Sequence, residues 1–182
     1  MKRLLLAGFC AGIAMYLWST LAHVVLPLGT AGISQIPNEQ PVLAALNASL
    51  GANGGLYVFP AMDPKGSMDD YSKKLATTPS GILAYTPPGA SAMEPKQLIV
   101  EFVTEMIEAF LIVLLLPVTF TSFTARTGFA ATMGLLASIV TNVPYWNWYH
   151  FSATYTAVAI FVQVVSFTIA GAVASLILKK TT

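Results

Sequence analysis

Hydrophobic positions along the chain gather into four long runs, separated by two short polar breaks and one long one. A helix crosses the hydrocarbon of a bilayer with about 20 mostly apolar residues, and each run has that length. The runs occupy residues 1–27, 97–117, 129–147 and 151–178; an insert lies at 28–96 and a short turn at 118–128. Polar residues inside the runs keep helical spacing. In the first run Tyr16, Ser19, Thr20 and His23 recur every three or four positions and share one face. In the fourth, Ser152, Thr156, Gln163 and Ser166 again fall to one side.

The second run, from Leu98 to Pro117, differs from the others in carrying three acids, Glu101, Glu105 and Glu108. Their i, i+4, i+7 spacing places them in one narrow stripe, at about 100° per residue. An acid at the centre of a membrane helix costs roughly 2.5–3.5 kcal/mol to insert, so the stripe must face protein, water, a proton or a cation. At about 1.5 Å per residue Glu108 is expected deepest of the three.

The insert holds eight of the eleven prolines and most of the charges, and reads as an extramembranous cap. Asn38, Glu39 and Pro41 open a helix over VLAALNASL, which Gly51 stops. LYVF (56–59) and ILAY (82–85) read as two short strands able to pair, each introduced by glycine and followed closely by proline. Between them Ser67 caps a short helix, with Asp69 and Asp70 in its first turn and Lys73 and Lys74 in its last. The Asn47-Ala48-Ser49 sequon lies inside a predicted helix and carries no weight.

Composition makes the chain a membrane protein: 182 residues, 55% hydrophobic, 9% charged, with a mean hydropathy of +0.70. A net charge of +1 with no basic patch excludes a nucleic-acid partner. The single cysteine, Cys10, excludes an internal disulfide and a thiolate metal set, and Phe9 spoils the lipoprotein-like run before it. The first run, apolar from Leu4 to Leu26, is too long for a signal-peptide core of about 7–15 residues and reads as a span. The expected fold is therefore an all-α membrane protein: four transmembrane helices with a small α/β extracytoplasmic cap between helices 1 and 2. Lys2, Arg3, Arg126, Lys179 and Lys180 then all fall on the cytoplasmic side of a bacterial inner membrane, with both termini inside and the cap outside.

That topology puts Glu101, Glu105, Glu108, His23 and His150 in the outer half of the bundle, fringed by the aromatic anchors Tyr145, Trp146, Trp148 and Tyr149. Histidine with carboxylate suits a proton relay or a divalent transition metal, for which Glu105, Glu108 and His23 are the candidate ligands. No Glu-x-x-His or His-Glu-x-x-His spacing is present. A haem or chlorophyll-type pigment on one of the two histidines is disfavoured for want of any motif.

Trp18, His23-Val-Val-Leu-Pro-Leu-Gly29, Ile36-Pro-Asn-Glu39 and Gly55-Leu-Tyr-Val-Phe-Pro60 resemble a small uncharacterised bacterial family of four-span inner-membrane proteins. The resemblance covers the first third of the chain and implies that the cap and first span belong together. It brings no activity and no functional residues. Two functions stay open: an accessory or scaffolding subunit of a larger energy-converting or transport complex, bound to other membrane subunits or to its own copies; or a metal- or proton-binding protein, or metal-dependent enzyme, using the Glu/His site. No catalytic residue is legible, and an enzyme is the less expected outcome.

Overall fold

In a computed structural model, which describes residues 1–119 and 122–178, the chain forms two compact units: Met1–Ile33 with Met93–Thr182, and Ser34–Ala92. Lys179 and Lys180, expected on the cytoplasmic side, lie outside the described residues.

The first unit is helical. Helix α1 (Lys2–Thr20) runs into a π-helical turn over Leu21–Val25, in which the Leu26 amide reaches back to the Leu21 carbonyl at 2.8 Å. It is joined by α4 (Pro95–Thr119), α5 (Phe123–Tyr149) and α6 (Ala153–Ile177). Helix α1 packs against both α4 and α6, α5 packs chiefly along α6, and α4 also touches α5 and α6. Small residues set these contacts. Ala7, Gly8, Ala11, Gly12 and Met15 form the buried face of α1, and a Cβ on Gly12 would come within 3.1 Å of the Met106 Cα. Helix α5 presents Ala130 and Gly134 to α6, one turn apart, and Ser138 a turn further on is buried as well. A single core joins Met15 of α1, Ile112 and Leu116 of α4, Ala130 of α5 and Phe167 of α6.

Four crossings are not supported. Among the described residues three helices are long and apolar enough to cross a membrane: Lys2–Val25, Phe123–Tyr149 and Ala153–Ile177. They are compatible with a membrane location. Helix α4 is as long as α6 but is not among them; Lys96 and the three glutamates lie in its N-terminal half. The turn expected at 118–128 is also shorter. Ser122 accepts a hydrogen bond from the Ala125 amide and starts α5 at Phe123, so Arg126 lies within a helix, 6% exposed. At the other end α5 runs through Pro144 to Tyr149, since a helix continues past a proline at the cost of one hydrogen bond and a bend.

The second unit follows the local signals closely. It contains α2 (Glu39–Leu50), β1 (Gly55–Phe59), α3 (Met68–Thr77) and β2 (Gly81–Tyr85), and the strands pair antiparallel from Gly55 with Tyr85 to Phe59 with Gly81. The Ser67 hydroxyl accepts from the Asp70 amide at 3.1 Å, capping α3 as expected. None of its residues is fully buried.

Candidate functional site: a carboxylate pocket between three helices

Helix α4 turns Glu105, Ala109, Ile112, Val113 and Leu116 toward the core. This is an i, i+4, i+7, i+8, i+11 series, and a carboxylate occupies its first position. Glu101 and Glu108 lie within about 60° of Glu105 on the helical wheel, at the flank of the same stripe. The glutamate face and the packing face therefore overlap. Glu105 is 6% exposed, whereas Glu108 is half-buried and Glu101 exposed. The most buried acid is thus Glu105, because direction around the helix decides burial within the protein.

The three glutamates line a cavity of about 120 Å³ with Thr104 of the same helix. Helix α1 closes it with Trp18 and Ser19, the π turn with His23, and α6 with Val162, Gln163 and Ser166. At roughly 10–15 Å³ per water centre the space admits several water molecules. The Ser19 hydroxyl donates to Glu101 Oε1 at 3.4 Å, and Tyr16 packs edge-on to Phe102 at 5.3 Å between ring centroids. The polar face of the first helix and the acidic face of α4 therefore meet through Tyr16, Ser19 and His23; Thr20 is exposed and takes no part.

Two polar atoms lining the cavity are buried without a hydrogen-bond partner, Glu105 Oε2 and Ser166 Oγ. The serine has a local cause. A helical serine or threonine ordinarily donates to the carbonyl four residues back, as Thr168 does to Val164 and Ser175 to Gly171 in this same helix. For Ser166 that carbonyl belongs to Val162, which accepts instead from the Trp18 indole Nε1 at 3.0 Å. Trp18 thus ties α1 to α6 and leaves the Ser166 hydroxyl facing the cavity. No lysine or arginine lines the space. A buried carboxylate with an unpartnered oxygen and two acidic neighbours on its own face needs a proton or a cation beside it.

The metal reading finds no cage. Glu105, Glu108 and His23 line one cavity, yet no three His, Cys, Asp or Glu side chains among the described residues are grouped to hold a metal ion. Glutamates one turn apart on a single helix are spread along the cavity wall, and the third candidate comes from another element. His150 is not brought to the cavity: it is exposed and ends α5 with a left-handed backbone, φ 57°. Its aromatic neighbours do cluster. Tyr145 stacks on Phe151 at 5.3 Å and lies 5.9 Å from Tyr149, while Trp146 and Trp148 stand outward, 49% and 73% exposed.

The pocket residues that sequence reasoning left out of the site are Trp18, Thr104, Val162, Gln163 and Ser166. The polar stripe of the fourth run already held Gln163 and Ser166, but only the register between helices shows which stripe meets the glutamates. No protein family matches the chain, and neither a curated protein nor a solved structure is detectably similar to it.

Proposed function

We propose that the chain is a small inner-membrane protein whose working element is the carboxylate pocket, and that the pocket takes up and releases a proton at Glu105. The observation that carries this reading is the pairing of a buried, unpartnered Glu105 oxygen with a polar cavity that no lysine or arginine lines. Proton exchange fits this lining better than metal chemistry, because a proton needs one carboxylate and a few waters, whereas a divalent ion needs converging ligands. In this proposal α1 begins on the cytoplasmic side and the insert is extracytoplasmic.

Infrared difference spectroscopy on the reconstituted protein tests the reading. A carboxylic-acid carbonyl band that shifts in D2O and disappears in Glu105→Gln is expected. A wild-type spectrum without such a band, or a band that survives the substitution, overturns it.

An accessory role in a larger complex is favoured by a separate observation. Val103, Ile107, Leu111 and Leu114 form an outward apolar face on α4, 47–59% exposed. Lipid or a neighbouring subunit must cover that face. Purification from native membranes in a mild detergent decides: a co-purifying subunit lost on Ile107→Asp supports the accessory role, and a lone chain argues against it.

A further inference from the structure

The carboxylate pocket has a neighbour. A second cavity of about 210 Å³ lies among the π turn with the chain just beyond it, α5 and α6, lined by Thr141 and Asn142 of α5, Tyr155 and Val158 of α6, and Gly29. Three residues line both spaces: His23, Val162 and Gln163. They form a common wall, and of the three only His23 can both accept and donate a proton at a ring nitrogen near neutral pH. Its placement is specific. The ring sits in the π turn, an irregularity that recurs at functional positions, and the chain beyond the turn folds back so that Gly29 packs on it. A Cβ on Gly29 would fall 2.5 Å from His23 Nδ1, so no larger residue fits there while the ring holds this position. The Nδ1 edge thus faces Gly29, which lines the second cavity, while the same side chain borders the space that holds Glu105.

We propose that His23 is the relay through which the carboxylate pocket exchanges protons with the second cavity. The inference rests on the proton-binding reading of Glu105 and adds the route. A hydronium ion in the second cavity gives its proton to the unprotonated ring nitrogen, where an N–H bond forms and water is left behind. The N–H bond on the other ring nitrogen breaks, and that proton passes through pocket water to the Glu105 carboxylate, forming its O–H bond. One proton moves and no electrons are transferred. The ring is left as its other tautomer, and the reverse transfer, when Glu105 releases its proton, restores the first. The ionisable groups around the ring are Glu101, Glu105 and Glu108 from α4 and Tyr155 from α6; α5 contributes only the neutral Thr141 and Asn142. Gln163 completes the wall as a fixed hydrogen-bonding amide that cannot carry the charge.

The test reads the rate at which the Glu105 carboxyl band shifts after rapid mixing of the reconstituted protein with D2O. Removal of a positioned acid–base group is expected to slow the exchange by about 10²-fold in His23→Ala, with the band's amplitude unchanged and the rate restored by added imidazole. His23→Gln, of similar bulk and polarity, should be as slow. Gly29→Ala retains the histidine but displaces its ring, and should slow exchange as well; it serves also if the His23 variants fail to fold. Exchange at the wild-type rate in His23→Ala and Gly29→Ala, with the band present, overturns the relay while leaving the carboxylate pocket standing. Absence of the Glu105 band from the wild type removes the pocket reading, and the relay with it.

Discussion

At the scale of single residues, the pocket depends on which hydrogen bonds are diverted. Trp18 donates to the Val162 carbonyl, so Ser166 four residues on is left unpaired while Thr168 and Ser175 in the same helix are satisfied. Trp18→Phe keeps an aromatic ring against Phe161, whose centroid is 6.4 Å away, but deletes the donor. The Ser166 hydroxyl is then free to turn back onto Val162. One part-buried hydrogen bond is worth about 0.5–1.5 kcal/mol, and the serine's gain offsets part of it. Thermal unfolding in detergent should therefore show a small loss for Trp18→Phe, and a larger one for Trp18→Phe combined with Ser166→Ala. A double variant no less stable than the single one would show that Ser166 does not take over the carbonyl. The acids at 101, 105 and 108 were legible as one stripe, since spacing alone fixes angle around a helix. Which of them is buried was not, because that depends on where α1 and α6 lie.

At the scale of elements, contact between α5 and α6 is limited by Cβ atoms. A Cβ on Gly171 would meet the Ala130 Cβ at 2.5 Å and the Thr127 Cα at 3.3 Å, and neither neighbour is a flexible side-chain end. Gly171→Ala must push the helices apart and is expected to cost about 1–3 kcal/mol. Adding Ala130→Gly removes the facing methyl and should recover most of that, so the pair should show a favourable coupling in a double-mutant cycle of unfolding free energies. Independent, additive effects would mean that the two helices do not meet at this level. Helix ends illustrate the limits of local reading. Ser67 and Ser122 both cap helices through the amide three residues on, but only the first was read from the sequence. The helix behind Ser67 carries acids in its first turn and lysines near its end that mark its limits, whereas the polar residues after Ser122 resemble a turn until Arg126 finds the Leu178 carbonyl.

At the scale of the whole molecule, the helical unit holds every fully buried residue among those described, and unit 34–92 holds none. A segment of this size without a buried core is held by its local caps, turns and one strand pair, and is marginal by that measure. The proposed sidedness is tested here. With Cys10 replaced by serine, Lys65→Cys, on an exposed position, should react in intact cells with a membrane-impermeant thiol reagent, and Arg3→Cys only after lysis. Protection of residue 65 together with labelling of residue 3 would reverse the orientation drawn from the basic residues.

The amino-acid sequence by itself determined what depends on neighbours along the chain. That includes the helix and strand pattern of the insert, the apolar runs and the acidic stripe, since periodicity, capping and turn chemistry act over a few residues. The tertiary structure alone decided what depends on the register between helices. It joined Ser19, His23, Glu105 and Ser166 around one cavity, left His150 outside it, and made His23 the shared wall of two spaces. It also packed α4 against α1 with Glu105 buried. The physical reason is that helical spacing gives each residue an angle on its own helix but no partner. Partners are chosen by which small residues let two backbones approach, and that choice is made by the packing of all four helices together.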